Sequence, residues 1–260
     1  MNRILQTGRT GLDSFQRKMD TIAHNIANVQ TVGYKSLDVQ FSDLIYDTTA
    51  NRGIPLTPGA REKPIEMGTG SRVKSIMHRF GQGILLETSN PLDLAISGEG
   101  FFGVEGENGE IYLTRNGAFA LDGNGRLVDS QGNHVLLDIY SPLYQPAEGN
   151  IAIDENGIIT STDETGQSVE LGRIPLFHVP DKAVLTGIGE NYFSAARQAD
   201  IYLLEGDESG KIIQGYLETS SVDLVKELTE MLITQRAYSI NTRSIHAADE
   251  MWGMVNQLRR

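Results

Sequence analysis

Residues 23–35 read AHNIANVQTVGYK. This stretch has too few apolar side chains for a core strand, and its residues are too regularly spaced for a random linker. Asn25 and Asn28 stand three residues apart in it, and Gly33 follows. Asn hydrogen-bonds to the free carbonyls at a helix end, and glycine accepts the positive φ angle of a turn. The stretch therefore predicts the end of a helix, with both asparagines in its last turns, followed by a turn.

Residues 5–29, which overlap the start of this stretch, carry one apolar stripe. Its members recur at alternating steps of three and four residues, the spacing of a helix face that packs on another helix. The stripe comprises Leu5, Gly8, Leu12, Phe15, Met19, Ile22, Ile26 and Val29. A single short helix of this kind is marginally stable in water, so the stripe predicts a packing partner.

Residues 221–260 predict a second helix, since they contain one Gly and no Pro. One row recurs every seven residues and comprises Leu224, Met231, Tyr238, Ile245 and Trp252. Its companion row is mostly polar and comprises Leu228, Gln235, Thr242 and Asp249. Other apolar residues lie around the rest of the helix, so we expect it to have more than one neighbour. Ser220 and Asp223 are the expected N-cap and N3 residues.

Residues 31–219 alternate apolar and polar side chains instead, as in Leu92, Leu94 and Ile96. Glycine-rich turns separate the alternating runs, at Asn108-Gly109, Asp122–Gly125, Gln131-Gly132 and Asn156-Gly157. This pattern is typical of short antiparallel hairpins.

The predicted fold class is α+β, with N- and C-terminal α-helices that form a coiled-coil-type domain and bracket a β-rich, mostly antiparallel central domain. The predicted domains are residues 1–30 with 221–260, a connecting segment 31–70 and a β-rich domain 71–220. Spacing alone leaves open an ordinary α+β domain whose end helices pack on its own sheet.

The formal net charge of −12 is concentrated in the middle of the chain. Residues 1–28 hold four basic and two acidic side chains and residues 221–260 hold five of each, so the middle carries −14. We expect no nucleic-acid partner, because phosphate binding needs a basic surface. The absence of cysteine excludes disulfides, zinc thiolate sites and cysteine nucleophiles. The lack of a long apolar run predicts no membrane insertion, and either a cytosolic location or export without a cleaved signal.

Two motifs resemble ligand-binding motifs, but the residues around them do not provide what a binding site requires. Residues 98–103 spell G-x-G-x-x-G, but a dinucleotide site needs a helix directly afterwards, and the residues that follow predict a strand, a turn and a strand. Phe101 and Phe102 are expected on opposite faces of a strand. Residues 122–126 resemble the start of a calcium loop, yet Arg126 stands where that loop needs Asp or Asn. The sequence therefore predicts no catalytic, cofactor or metal site.

The opening stretch closely resembles the N-terminal signature of the flagellar axial family, the rod and hook proteins of bacteria. Further stretches resemble the family's segments in the family's order: PLDLAISGEGFFGV, YLTRNGAFALDGNGRLV and QGYLETSSVDLVKELTEMLITQRAYSINTRSI. FSDLIYDT, MGTGSRV and IGENYFSA are most similar to the distal-rod branch, in which an insertion lies near residues 46–66. His24 and Gln30 are mild departures from the family pattern.

The resemblance implies a structural subunit that polymerises helically into a rigid hollow drive shaft, which transmits torque and through which later subunits are exported. The two helices would associate as a coiled coil and pack on neighbouring subunits, with the β-rich body outside and with disordered ends before assembly. The implied partners are further copies of the chain, other rod subunits, the hook protein, the flagellar export apparatus and the bushing rings around the rod. The implied location is the basal body.

The residues implied in assembly fall in the two terminal segments. In the N-terminal segment they are Leu12, Phe15, Met19, Ile22, Asn25, Ile26, Asn28, Val29, Gly33 and Tyr34. In the C-terminal segment they are Leu224, Leu228, Met231, Gln235, Arg236, Tyr238, Asn241, Ile245 and Trp252. Two alternatives remain: a proximal rod or hook subunit, and a cell-wall glycan-degrading enzyme, which would need a pair of carboxylates in a cleft.

Overall fold

The computed structural model describes residues 2–48, 66–106, 109–139, 151–162, 168–195, 201–203 and 210–258. The chain forms two compact units. The helical unit comprises Met1–Ala27, Leu37–Met77 and Asp223–Arg260, and the β-rich unit comprises Asn28–Ser36 and His78–Val222. Most of the connecting region at residues 46–66 lies outside the described residues.

The helical unit contains the two long helices, α1 (Asn2–Ala27) and α2 (Leu224–Leu258). The helices pack side by side and run antiparallel: Gly8 lies against Ile245, whereas Lys18 Nζ lies 3.1 Å from Glu230 Oε2, nearer the start of α2. Strand β1 (Leu37–Asp43) pairs with β4 (Ser71–His78), and β2 (Asp47–Thr48) pairs antiparallel with β3 (Glu66–Met67).

Both predicted helix boundaries need correction. Helix α1 ends at Ala27, so Asn28 and Val29 lie in the following turn rather than in the helix. Ser220 is not the N-cap of α2. Asp223 is, because its Oδ1 accepts hydrogen bonds from Val225 N at 3.0 Å and Lys226 N at 3.1 Å.

The strands of the β-rich unit are short, because tight turns interrupt the chain every few residues. They are β5 (Leu85–Glu87), β6 (Leu94–Ser97), β7 (Phe101–Glu105), β8 (Ile111–Thr114), β9 (Ala120–Leu121), β10 (Leu127–Val128), β11 (His134–Val135), β12 (Asp138–Ile139), β13 (Ile151–Ile153), β14 (Ile158–Thr162), β15 (Ser168–Arg173), β16 (Leu176–His178), β17 (Leu185–Gly189), β18 (Tyr192–Ala195), β19 (Tyr202–Leu203), β20 (Lys211–Gln214) and β21 (Tyr216–Glu218).

The largest sheet has the strand order β17-β18-β8-β7-β11-β10-β9, with β16 joining β7 to β19. A second sheet has the order β12-β15-β14-β13, and two further pairs join β6 to β20 and β5 to β21. The described pairings within this unit are antiparallel, and the predicted turns at Asp122–Gly125, Gln131-Gly132 and Asn156-Gly157 connect paired strands. The α+β class with terminal helices around an antiparallel β-rich middle is thus confirmed.

Strand β7 separates two hydrophobic clusters. Phe102 packs in a cluster with Leu94, Ile96 and Ile212, whereas Phe101 packs in another with Leu113 and Phe193. The two phenylalanines therefore occupy opposite faces of the strand, as the sequence predicted. The chain continues after β7 into β8 rather than into a helix, so the G-x-G-x-x-G motif lacks the helix N-terminus that a dinucleotide site requires.

Strand β6 differs from its sequence pattern. Leucine and isoleucine alternate with other residues in the sequence here, a pattern typical of a strand with one covered face, but Leu94, Ala95 and Ile96 are all buried. Alanine is small enough to fit on the second covered face, and strands covered on both sides need not alternate.

Candidate assembly site

Residues 28–36, called the signature loop below, are hydrogen-bonded to the segment that leads into α2. Gly33 N donates to Glu218 O at 2.8 Å, and Ser221 N donates to Tyr34 O at 3.0 Å. Ser36 N donates to the Ser221 side chain, also at 3.0 Å. The loop that follows the N-terminal helix and the segment that precedes the C-terminal helix are therefore held together within the β-rich unit.

A buried charged triad includes one residue of this loop, Lys35. Lys35 Nζ lies 2.6 Å from Glu218 Oε1, and Arg115 Nη1 lies 3.2 Å from Glu218 Oε2. The Lys35 and Glu218 side chains are 1% and 0% exposed. Lys35 also donates to Gly81 O at 2.8 Å, and Glu218 accepts from Gly83 N at 2.7 Å. Buried charges are tolerated only when they are paired and hydrogen-bonded, and this arrangement meets both conditions for the carboxylate.

The triad contains two cations and one carboxylate. Burial lowers the pKa of Lys35 and of Arg115, and the attraction of Glu218 opposes the shift in both cases. The Arg115 guanidinium also donates to Gly98 O at 2.8 Å and lies over the Phe101 ring, 5.3 Å from its centroid. These contacts spread the surplus positive charge over carbonyl and aromatic groups.

Two backbone features shape the signature loop. Gly33 has a φ of +68°, and a Cβ atom there would lie 2.6 Å from Asn116 N, so the loop approaches backbone too closely for a side chain. The β17–β18 turn contains Glu190 and Asn191 with φ angles of 49° and 62°. Asn191 Nδ2 donates to Val32 O at 2.9 Å, so this turn of the IGENYFSA stretch contacts the loop directly.

Asn25 lies in the helical unit and is hydrogen-bonded to the backbone of Leu37. Its Oδ1 accepts from Leu37 N, and its Nδ2 donates to Leu37 O, both at 2.9 Å. Asn25 thus makes a two-point contact with the start of β1. Asn28 does bond locally, because its O accepts from Thr31 N at 3.2 Å and its Oδ1 accepts from the Thr31 hydroxyl at 3.2 Å.

The predicted stripe of α1 occupies covered positions of the helix. Gly8 and Ile22 are buried, and the other helical members are half-buried: Leu5, Leu12, Phe15, Met19 and Ile26. Outside the helix, Val29 is half-buried, and Gly33 and Tyr34 are buried. Close contact with α2 depends on glycine, since a Cβ on Gly8 would lie 2.7 Å from Ile245 and one on Gly11 would lie 2.6 Å from Asn241.

The predicted rows of α2 divide between covered and exposed positions. Met231, Tyr238, Asn241 and Ile245 are half-buried, whereas Leu224, Leu228, Gln235, Arg236 and Trp252 are exposed. The row accompanying Met231, Tyr238 and Ile245 consists of Thr234, Asn241 and Ala248. Asn241 Nδ2 donates to Gly8 O at 2.9 Å, which adds a polar contact between the helices. These small and polar residues repeat every seven positions, and this spacing is the sequence signal from which the row could have been recognised.

Much of the apolar surface of α2 is exposed. Along the helix, exposed apolar side chains include Val225, Leu232, Ile233, Ile240, Met251, Met254, Val255 and Leu258. A helix that is apolar on several sides needs several neighbours, and α1 covers one side. Among the described residues, no cluster of metal-binding side chains occurs and no helix is long and apolar enough to cross a membrane.

Three segments of the sequence match known families. Residues 5–35 match "Flagella basal body rod protein", residues 95–161 match "Flagellar hook protein FlgE/F/G D1 domain", and residues 213–258 match "Flagellar basal body rod FlgEFG protein C-terminal". The chain is 36% identical to the flagellar basal-body rod protein FlgG of Borreliella burgdorferi over 265 residues, which cover all of both chains. The chain belongs to the flagellar basal-body rod protein family. As a member of this family, it is a structural rod subunit of the flagellar basal body.

Two relatives from Bacillus subtilis are similar to the chain over its full length. It is 33% identical to FlgG over 273 residues and 29% identical to the flagellar hook-basal body complex protein FlhP over 279 residues, with full coverage of all chains. The rod protein homologues of the chain are structural proteins and not enzymes.

Each matched segment supplies one member of the buried triad. Lys35 closes the first rod-family segment, Arg115 lies in the second and Glu218 lies in the third. The triad therefore joins parts of the chain that are far apart in sequence.

Proposed function

We propose that the chain is a subunit of the distal rod and polymerises helically into a rigid hollow shaft that transmits torque and passes later subunits outward. The observation that carries this proposal is the exposed apolar surface of α2. Since α1 covers one side of that helix, the remaining apolar side chains can leave water only by contact with other molecules. Neighbouring copies of the same helix pair offer such contacts.

In this proposal α1 and α2 associate as a coiled-coil-type pair. Their facing surfaces have a spacing of three and four residues, as in Met231, Thr234, Tyr238, Asn241 and Ile245. Residues 1–30 and 221–260 form the assembly domain, residues 31–70 the connection and residues 71–220 the β-rich domain. The exposed residues Leu224, Leu228, Gln235, Arg236 and Trp252 are then available to neighbouring subunits.

The proposed partners are further copies of the chain, other rod subunits, the hook protein, the export apparatus and the rings around the rod. Export without a cleaved signal fits ends that order only on assembly, because isolated helices of this kind are marginally stable. The distal position is supported by the resemblance of FSDLIYDT, MGTGSRV and IGENYFSA to the distal-rod branch of the family.

Deletion of the gene in a flagellated bacterium tests the proposed position. Electron microscopy of isolated basal bodies should show a short rod stub without a hook, and the full chain supplied from a plasmid should restore both. A complete rod with a hook in the deletion strain would overturn the distal assignment. A proximal role instead predicts no rod stub.

Limited proteolysis of the purified monomer tests folding on assembly. Residues 1–30 and 225–260 should be cleaved early while the β-rich unit resists, and the same ends should be protected in assembled rods. Equal protection of the ends in monomer and rod would contradict ordering on assembly.

A further inference from the structure

A cleft opens along the helix pair of the helical unit. It has a volume of about 670 Å³, and its walls come from α1, α2 and the residues around β1 and β4. Phe15, Tyr46 and Ile240 supply apolar surface, and Gly68 lies on the same wall as Tyr46. We call this the helix cleft.

The rim of the helix cleft is apolar and exposed. Tyr46 and Ile240 extend from its lining to the surface, and Ile240 is 64% exposed. Ile45, next to Tyr46, is 87% exposed. Adjacent exposed apolar side chains beside a concave surface favour an interaction site. Asp43 places a carboxylate in the wall.

The C-terminal turns of α2 form a second apolar surface. Gly8 of α1 lies against Ile245 of α2, and the two helices are antiparallel. The first residue of α1, Asn2, therefore lies beside about residue 251 of α2. Residues 252–258, called the α2 tip below, therefore extend beyond the described part of α1. Met254, Val255 and Leu258 of the tip are exposed, and Leu258 is 87% exposed.

The α2 tip cannot enter the cleft of its own chain. Both belong to one continuous helix, and Leu258 lies about 27 Å along the axis from Ile240, at 1.5 Å per residue. A contact between the tip and a helix cleft must therefore be made between two chains.

We propose that the helix cleft of one subunit receives the α2 tip of the next, an inference that rests on the proposed polymerising function. The apolar side chains of the tip would pack on Phe15, Tyr46 and Ile240. Arg259 and Arg260 follow the tip in the sequence and would complement the carboxylate of Asp43. The two surfaces differ, so the contact is heterologous and does not close on itself, as a helical polymer requires.

Disulfide crosslinking tests the contact, because the chain has no cysteine of its own. Ser244→Cys in the cleft wall and Met254→Cys in the tip are placed on separate copies, coexpressed in the deletion strain. A mild added oxidant takes two electrons and two protons from a pair of thiols when they meet. The control replaces S244C with Asp20→Cys, at an exposed position of α1 outside the cleft lining.

We expect isolated basal bodies to contain a covalent dimer with S244C and M254C at a level several-fold above the D20C control. Motile cells whose basal bodies show no excess of dimer over the control would overturn the proposed contact and leave the rod function intact. If cells with the control pair, D20C and M254C, also lose motility while the thiols are reduced, the loss points to the assembly function and not to this contact. The variants Gly68→Trp and Gly123→Trp, described next, then decide whether the contact exists.

Filling the cleft provides the second measurement. Gly68→Trp adds a large ring to the wall, where a Cβ would meet only Tyr46 at 3.9 Å among the described residues. Gly123→Trp is the matched control, since no described atom lies within 4 Å of a Cβ there. We expect G68W to reduce rod assembly several-fold, with circular dichroism unchanged and G123W rods at wild-type level. Equal assembly of the two variants, whether normal or defective, would overturn the contact.

Discussion

Lys35 Nζ lies 2.6 Å from Glu218 Oε1, although 183 residues separate the two side chains. Closing so long a loop costs conformational entropy, and removing both charges from water costs more. An apolar pair of similar volume would avoid the second cost. We infer that the ion pair specifies which segments meet, because a buried charge rejects every arrangement in which it lacks its partner.

Glu218→Gln should strongly destabilise the β-rich unit. The substitution leaves Lys35 and Arg115 buried without their carboxylate, and breaking a buried charge network in this way typically costs about 3–5 kcal/mol. Urea unfolding of the full chain, followed by the circular dichroism signal of its strands, measures the loss.

Glu155→Gln is the matched control for this prediction. Its pair with Lys211 has the same 2.6 Å separation, but the two side chains are 61% and 67% exposed. Solvent screens exposed pairs, so no measurable change is expected. Equal losses for E218Q and E155Q would mean that burial does not determine the importance of the pair.

Lys35 should make stability depend on pH in the alkaline range. Burial lowers the pKa of Lys35 in the folded chain, whereas in the unfolded chain it should be near the ordinary value of 10.5. Between the lowered pKa and 10.5, the unfolded chain binds more protons. The contribution of Lys35 to the free energy of unfolding therefore rises with pH across this window and is constant below it.

Comparison with Lys35→Met isolates this contribution. Methionine is of similar length and carries no charge, so the variant should lack the rise. Urea unfolding of both proteins from neutral pH to 10.5 should show the difference, wild type minus variant, increasing with pH. A difference that stays constant or decreases would show that the pKa of Lys35 is not lowered on folding.

Gly33→Ala should destabilise the signature loop for two reasons. The positive φ of +68° costs an L-residue about 1–2 kcal/mol, and the added methyl group would lie 2.6 Å from Asn116 N. Gly132→Ala has the first cost alone, because its φ is +87° and no described atom lies within 4 Å of its Cβ. Thermal unfolding should therefore show a larger loss for G33A. Equal losses would indicate that the loop can move away from Asn116 at no cost.

The sequence predicted those parts of the fold that depend on local pattern. The stripe of α1 has a helical period, and turns such as Asp122–Gly125 require glycine at a defined place, so helices and hairpins were recognised. The partners of Lys35 and Asn25 were not, because neither contact leaves a periodic signal: one spans 183 residues, and the other joins the end of α1 to the start of β1.

In the facing row of α2, the family resemblance implied Asn241, whereas Thr234 and Ala248 were missed for another reason. Thr234, Asn241 and Ala248 repeat every seven residues, but they are small or polar, whereas the prediction looked for large apolar side chains. Close helix packing favours small residues, and here the partner surface on α1 contains Gly8 and Gly11. Asp223 was placed inside the helix because Ser220 matched the capping pattern equally well in sequence.

Gly8→Val should prevent normal pairing of α1 with α2. A Cβ at this position would lie 2.7 Å from Ile245 Cγ1, and a branched side chain would also displace Asn241, whose Nδ2 donates to Gly8 O at 2.9 Å. The helices must then separate, which exposes the apolar surface between them and weakens assembly.

Rod assembly and motility in a complemented deletion strain measure the effect, and both should fall severalfold or more. Ala23→Val, at an exposed position of α1, introduces the same β-branched side chain into the same helix and should assemble like wild type. Gly8 does not line the helix cleft, but separating the helices would also move the cleft walls that α1 and α2 supply, so G8V tests the helix pair and G68W tests the cleft. Normal rods with G8V would show that the polymer does not need the close helix contact, and the role proposed for the pair would have to be abandoned.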